Sequence, residues 1–335
     1  MNIHRRHFLQ ATTAFASLPF LGGVTGCRSD STTPGNPARE FSNGGVSGGG
    51  ARRPYKIGIC DWDIYATGDP RSFAIAKELG FDGVEVSFSP EIDPSFTFPT
   101  TSVRPESRVL LYDLDVEYPL WKPENRRVFL EAAARESVEI PSFAMGMLNT
   151  VPLATTEYAE GWIADCIEAM ADMKVKILLL PFFYDANIKD NIGDRNKAIE
   201  KLKRLAPLAK EKNVILGLET PLNAEEHLDM VERIGCDSAM VYYDVMNMHA
   251  MGYPVYDDLE VLLREKIVCQ VHCKDDGALL GEGVINFPRV RDLLETYDYQ
   301  GWLVAETYAF VVEGDWKEWL RADAAYLRRT FNEPR

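Results

Sequence analysis

Ile215-Leu216-Gly217-Leu218-Glu219, Met240-Val241-Tyr242-Tyr243-Asp244 and Val268-Cys269-Gln270-Val271-His272 are three short, largely apolar runs. Helical stretches at Ala224–Ile234 and Val255–Arg264 separate them. None of the three alternates cleanly between apolar and polar, which is the pattern of a strand buried on both faces. Each closes on a carboxylate or an imidazole. A strand, a helix, a strand, a helix and a strand in so few residues describe parallel strands joined by crossover helices.

The alternation continues outward in both directions. The pattern predicts strands over Lys56–Cys60, Gly83–Phe88, Ser142–Met145, Ile177–Leu180, Ile215–Leu218, Met240–Asp244, Val268–His272 and Leu303–Ala305. It predicts further helices over Pro70–Leu79, Glu124–Ser137, Thr156–Met173, Arg195–Lys212, Phe287–Tyr297 and Trp316–Phe331. Eight strand–helix pairs argue for an α/β chain folded as a (β/α)8 TIM barrel, one domain spanning residues 55–335. A doubly wound open sheet would more often carry a glycine-rich phosphate turn after its first strand. Here Cys60 is followed by Asp61-Trp62-Asp63-Ile64. The connection from Ser89 to about Pro123 is long enough to be an insertion after strand 2. It would sit at the catalytic rim, where such loops act as lids.

The chain has 335 residues, 46% of them hydrophobic and 26% charged, as in a globular protein. With 36 Lys and Arg against 51 Asp and Glu, its net charge is −15. Such a surface is ill suited to nucleic acid, whose binders neutralise phosphates with clustered cations. The amino terminus reads as an address. Arg5 and Arg6, followed by Phe8-Leu9 and an apolar small-residue stretch ending Val24-Thr25-Gly26-Cys27, resemble a twin-arginine export signal with a lipobox. The stretch is too short and too interrupted to span a membrane. Residues 1–27 are therefore expected to be the signal, with Cys27 lipidated. Residues 28–54, rich in Gly, Ser and Pro, read as a flexible tether. The expected destination is the periplasm or a membrane-anchored lipoprotein, with membrane contact only through the anchor. Cys60, Cys166, Cys236, Cys269 and Cys273 show no CxxC spacing and read mostly as small buried hydrophobes.

In a barrel the active site forms at the carboxyl ends of the strands. Strand five ends in Glu219, six in Asp244, seven in His272 and eight in Glu306. Three carboxylates and one imidazole meeting at one rim suit one divalent metal ion: Mn²⁺, Mg²⁺, Co²⁺ or Zn²⁺. Any one of these acids alone would read as a helix cap or a solvated loop charge. The agreement of four strand ends is what makes the set specific.

From about Tyr55 onward the chain resembles the xylose isomerase-like barrel superfamily, in particular its sugar (phosphate) isomerase/epimerase branch with the ketose 3-epimerases. The resemblance is carried by Leu218-Glu219, Asp244-x-x-Asn247, His272-x-Lys274-Asp275, Ala305-Glu306 and the turn Gly281-Glu282-Gly283-Val284-Ile285-Asn286-Phe287. It implies that Glu219, Asp244, His272 and Glu306 bind one metal and that Glu219 and Glu306 exchange the substrate's proton. Ketose epimerases carry a His where Asn247 stands, a departure that bears on substrate placement. Moving a proton next to a carbonyl through an enediolate calls for a Lewis acid and a carboxylate on each face of the substrate. Asn247, Lys274, Trp62, Asn149, Tyr184 and Glu225 are candidates to bind a small carbohydrate. His227 and His249 read as structural. The expected activity is metal-dependent sugar isomerisation or epimerisation. A 3-keto-glycoside lyase with the same site and a non-catalytic carbohydrate-binding lipoprotein are the alternatives. The superfamily's apurinic endonucleases use several more histidines than this chain offers. A homo-oligomer is the one protein partner expected.

Overall fold

The structure, a computed structural model, describes residues 54–96, 116–275, 277–307 and 315–334. Arg5, Arg6, Cys27, the tether up to residue 53 and residues 97–115 of the long connection lie outside the described residues.

Eight parallel strands close into a barrel in chain order. They are β1 (Ile57–Cys60), β2 (Gly83–Ser87), β3 (Ser142–Ala144), β4 (Ile177–Pro181), β5 (Ile215–Glu219), β6 (Ala239–Asp244), β7 (Val268–Cys273) and β8 (Leu303–Ala305). β8 pairs with β1 and closes the ring. The helices are α1 (Ser72–Leu79), α2 (Pro123–Glu136), α3 (Ala159–Met173), α4 (Ile192–Glu211), α5 (Ala224–Ile234), α6 (Val245–Ala250), α7 (Val255–Arg264), α8 (Phe287–Thr296) and α9 (Trp316–Asn332). The TIM barrel expected from the alternation is the fold observed, with most boundaries within one to three residues.

The differences have local causes. α3 starts at Ala159, later than expected, because Thr155 and Thr156 both donate their backbone N–H to Pro152 and form a turn. α4 starts early, at Ile192, because the Asn191 side chain accepts the Asp194 N–H and caps it there. The short helix α6 was not legible as a helix, since it begins directly at the strand end it shares with Asp244. α5 follows its predicted span. A reciprocal Asn223–Glu226 capping box starts it, and Gly235 in the left-handed region stops it.

Side chains of the strands divide by parity. Ile57, Val84, Phe143, Leu178, Leu216, Val241, Val271 and Leu303 join the large core between sheet and helices. Each such buried aliphatic contributes on the order of 2 kcal/mol. Ala144, Ile177, Leu179, Met240, Tyr242 and Cys269 form a second, smaller apolar cluster from the opposite parity, filling the barrel's interior. On β7 the pairing steps from Val241↔Val268 to Tyr242↔Gln270, so Cys269 is an extra, bulged residue. The bulge resets the parity of β7 and brings His272 directly opposite Asp244. All five cysteines among the described residues are free, and only Cys236 is not buried. Among the described residues no helix is long and apolar enough to cross a membrane.

Candidate metal centre

Glu219, Asp244, His272 and Glu306 converge at the carboxyl ends of β5 to β8, each offering one ligand atom within 4.8 Å of the others. His272 Nδ1 lies 3.5 Å from Glu219 Oε1, 3.8 Å from Asp244 Oδ2 and 3.4 Å from Glu306 Oε2. Ligands at about 2.1 Å from a common ion stand roughly 3.0–3.4 Å apart, so small shifts would bring these atoms to coordination distance. Two atoms of the set, His272 Nδ1 and Asp244 Oδ2, are buried with no hydrogen-bond partner. Buried polar atoms are normally satisfied. A cation between them would satisfy both, so the residues present fit a divalent metal.

The other atoms of these side chains are held in place. Asp244 Oδ1 accepts the backbone N–H of Met246 (2.8 Å) and Asn247 (2.7 Å), so one carboxylate oxygen caps α6 while the other faces the centre. The helix-cap role that an acid after a strand suggests and the expected ligand role would thus fall to different oxygens. Asn247 Nδ2 donates to Glu219 Oε1 at 3.0 Å, and Lys274 Nζ donates to Glu306 Oε2 at 2.8 Å.

Three carboxylates this close repel one another. At ~4 Å and an effective dielectric of about 20, each pair costs on the order of 4 kcal/mol. Burial pushes Asp244 up to about 7 and raises Glu219 as well. Burial also raises Glu306, but Lys274 and His272 outweigh it and hold this carboxyl at about 2. Burial disfavours the charged form of His272, yet Glu85 and Glu306 overcome it and lift the imidazole well above its ordinary value. A divalent cation is the other way to relieve the same repulsion.

Of the expected substrate contacts, Asn247 and Lys274 touch the carboxylates of the candidate ligands Glu219 and Glu306. Trp62, half-buried after β1, packs against the apolar cluster inside the barrel. Asn149 is buried, and its Oδ1 accepts the Phe183 N–H at 2.8 Å, tying the loop after β3 to the loop after β4. Tyr184 stands exposed after β4 with φ of 50°. Glu225 is exposed on the first turn of α5. His227 is buried between Thr220 Oγ1 (2.8 Å) and the Asn223 carbonyl (3.0 Å), a structural residue. His249 is exposed on α6.

Two buried acids at the site are absent from the sequence reading. Asp63 accepts the Thr307 N–H at 2.8 Å, beside Glu306, and burial followed by Glu306 pushes its carboxyl up. Glu85 accepts from or pairs with His272 Nε2 at 3.0 Å. Its signal in the sequence is an ionisable residue between Val84 and Val86 in the middle of an apolar strand.

A profile described as the xylose isomerase-like TIM barrel matches residues 73–330. The chain is 27% identical over 148 residues to an inosose dehydratase of Glaesserella parasuis serovar 5. That alignment covers 35% of this chain and 48% of the dehydratase, about half its length. The chain is 24% identical over 259 residues to L-ribulose-5-phosphate 3-epimerase UlaE of Salmonella heidelberg, covering 72% of this chain and 83% of that protein. Among solved structures, an L-ribulose 3-epimerase superposes with a TM-score of 0.62 at 17% identity, covering 83% of this chain and 94% of its own. The 3-keto-D-glucoside 4-epimerase YcjR of E. coli gives 0.57 at 17% identity, over 82% and 99% of the two chains. A barrel protein of Mycobacterium smegmatis in complex with magnesium gives 0.60 at 16%, over 83% and 96%. At these identities the structural likeness is one of fold.

Proposed function

The chain belongs to the xylose isomerase-like TIM barrel family, and on that premise we propose that it is a divalent-metal-dependent sugar isomerase or epimerase. One observation carries the reading. Glu219, Asp244, His272 and Glu306 meet at the rim with His272 Nδ1 and Asp244 Oδ2 buried and without a hydrogen bond, Asp244 Oδ2 lying 3.7 Å from Lys274 Nζ. A bound divalent ion would supply Lewis acidity, drawing charge from a substrate carbonyl and acidifying the neighbouring C–H. The curated UlaE relative and the YcjR fold neighbour, both named as sugar epimerases, support the class.

The chain's own residues account for the proton movement. Glu219 and Glu306 come from β5 and β8, three strands apart, so a substrate held between them meets a carboxylate from each side. Glu306, held at about 2 beside Lys274, stands ready as the base. Glu219, raised by burial, supplies the second carboxylate of the exchange from the other side. Lys274 Nζ is placed to donate to an oxygen that gains charge, and Asn247 fixes the Glu219 carboxylate.

Glu306→Gln and Glu219→Gln test the roles. Each is expected to lower proton exchange about 10²–10⁴-fold while leaving the fold intact. Unchanged exchange in either variant would remove that glutamate from the mechanism. A second reading, elimination of a group β to the carbonyl from a keto-sugar, is favoured by the alignment with inosose dehydratase. It needs the same base and differs in the leaving group. Release of that group from a keto-sugar substrate distinguishes it.

The proposed setting is extracytoplasmic. Arg5 and Arg6 would direct export, Cys27 would carry the lipid, and residues 28–54 would tether the barrel. Cys27→Ala should shift the protein from membrane to soluble fraction. An unchanged distribution would remove the lipid anchor.

A further inference from the structure

Beneath the candidate metal centre lies a polar network inside the barrel, drawn from β2, β3, β6 and β7, in which Gln270 Oε1 is left without a hydrogen bond. Glu85 is completely buried. Its Oε2 accepts from Ser142 Oγ at 2.5 Å and from the Tyr242 hydroxyl at 2.8 Å. Gln270 Nε2 lies 2.7 Å from Ser142 Oγ and 2.8 Å from the Tyr242 oxygen. The Glu85 Oε1 atom faces His272 Nε2 at 3.0 Å, with the Cys60 thiol at 3.6 Å. The Tyr242 ring reaches this position because Gly217 has no side chain. A Cβ there would sit 3.1 Å from the ring.

The donor count fixes the polarity of this network. A carboxylate oxygen only accepts. Ser142 and Tyr242 each have one proton, and both spend it on Glu85 Oε2. Their lone pairs then need donors, and the two N–H groups of the Gln270 amide supply them. Glu85 Oε1 is left to accept from His272, so in the neutral ring that a metal requires Nε2 carries the one proton. Nδ1, the nitrogen that faces Glu219, Asp244 and Glu306, is then the one left to bind a metal.

From this we infer that Glu85 is a positioning residue for the metal centre. Ser142, Tyr242 and Gln270 orient its carboxylate, and the carboxylate fixes His272 with Nδ1 presented to the ion and raises the basicity of that nitrogen. Partners of this kind behind a ligating histidine typically contribute 10–100-fold in metal affinity. The inference rests on the proposed metal centre, not on the identity of the sugar.

The test is metal titration of the purified full-length protein with Co²⁺ and with Mn²⁺ against a competing chelator. It compares wild type, Glu85→Gln and Tyr242→Phe, with the Co²⁺ absorption spectrum and the melting temperature of the metal-free protein measured in parallel. Glu85→Gln keeps an acceptor of the same shape and removes the charge. It is expected to weaken metal binding 10–100-fold and to alter the Co²⁺ spectrum. Tyr242→Phe, which removes one donor to Glu85, is expected to weaken it several-fold. A merely structural role would move the melting temperature and leave affinity and spectrum alone, and that result overturns the inference. Where Glu85→Gln fails to fold, Tyr242→Phe decides: wild-type affinity in that variant overturns the inference. Absence of metal binding in the wild type overturns both this inference and the proposed function. Tight binding with the expected losses, but no exchange on any sugar, overturns only the function.

Discussion

Asp244 divides its two oxygens between two tasks. Oδ1 caps α6 through Met246 and Asn247, and Oδ2 faces the centre without a hydrogen bond, 3.7 Å from Lys274 Nζ. Asp244→Asn therefore separates the roles. The amide oxygen can still cap the helix, while an NH₂ group replaces the second oxygen toward the ion. Folding should persist and metal affinity should fall by at least tenfold, read by the same chelator competition. Equal affinity in the variant would show that Asp244 is only a cap. His227 is a different kind of residue. Its Nδ1 faces the Asn223 carbonyl, which only accepts, so Nδ1 carries the proton and Nε2 accepts from Thr220, the residue after Glu219. Burial, with Arg195 nearby, lowers its pKa to about 4 from an ordinary 6.5. The neutral ring stabilises the fold fully above the unfolded value, and this contribution is lost as pH falls from about 6.5 toward 4. The loss amounts to roughly 3 kcal/mol at the acid end. Denaturant unfolding at pH 7.5 and 4.5 should show a smaller acid loss in His227→Gln than in wild type. An equal loss would mean that His227 does not titrate between the folded and unfolded states.

At the scale of elements, the loop from β7 to α8 presents the clearest constraint. The Asp275 carboxylate accepts the Val284 N–H at 2.8 Å, folding the loop back on the strand end that carries His272 and Lys274. A Cβ on Gly283 would fall 2.2 Å from Asp275 Oδ1. Gly283→Ala should thus cost about 1–3 kcal/mol in denaturant unfolding and displace Lys274, lowering activity as well. Wild-type stability in that variant would mean the loop has room to move aside. The strands that carry the candidate ligands were legible because Glu219, Asp244, His272 and Glu306 each close an apolar run. Glu85 was not, because it sits inside its run, and the partners that make its burial tolerable come from β3, β6 and β7. The bulge at Cys269 left no mark either. No glycine or proline announces it, yet it sets which side of β7 faces Asp244. Helix α6 was hidden for a related reason: its cap is a strand residue.

For the whole molecule, the site's charge explains why metal and fold should be coupled. Three carboxylates face Lys274 and His272 at the barrel mouth, and a cation relieves their repulsion only in the folded state. Metal at about 100 times its Kd should add ~2.7 kcal/mol to folding stability. The melting temperature should rise with Mn²⁺ or Mg²⁺ and return to the metal-free value with a chelator. The barrel as a whole was legible in the sequence because its eight repeats each reproduce the same buried strand and amphipathic helix. The long connection after β2 was legible only as a length, and its central residues lie outside those described.

The most direct test of the central claim is deuterium incorporation in D₂O, followed by NMR, with the purified protein, a panel of free ketoses, aldoses and 3-keto-glycosides, and Mg²⁺ or Mn²⁺ present or chelated. The account predicts metal-dependent deuterium at the carbon beside the carbonyl of at least one sugar, lowered about 10²–10⁴-fold in Glu306→Gln. Exchange that is indifferent to chelation, or no exchange by the metal-loaded protein across the panel, would contradict it.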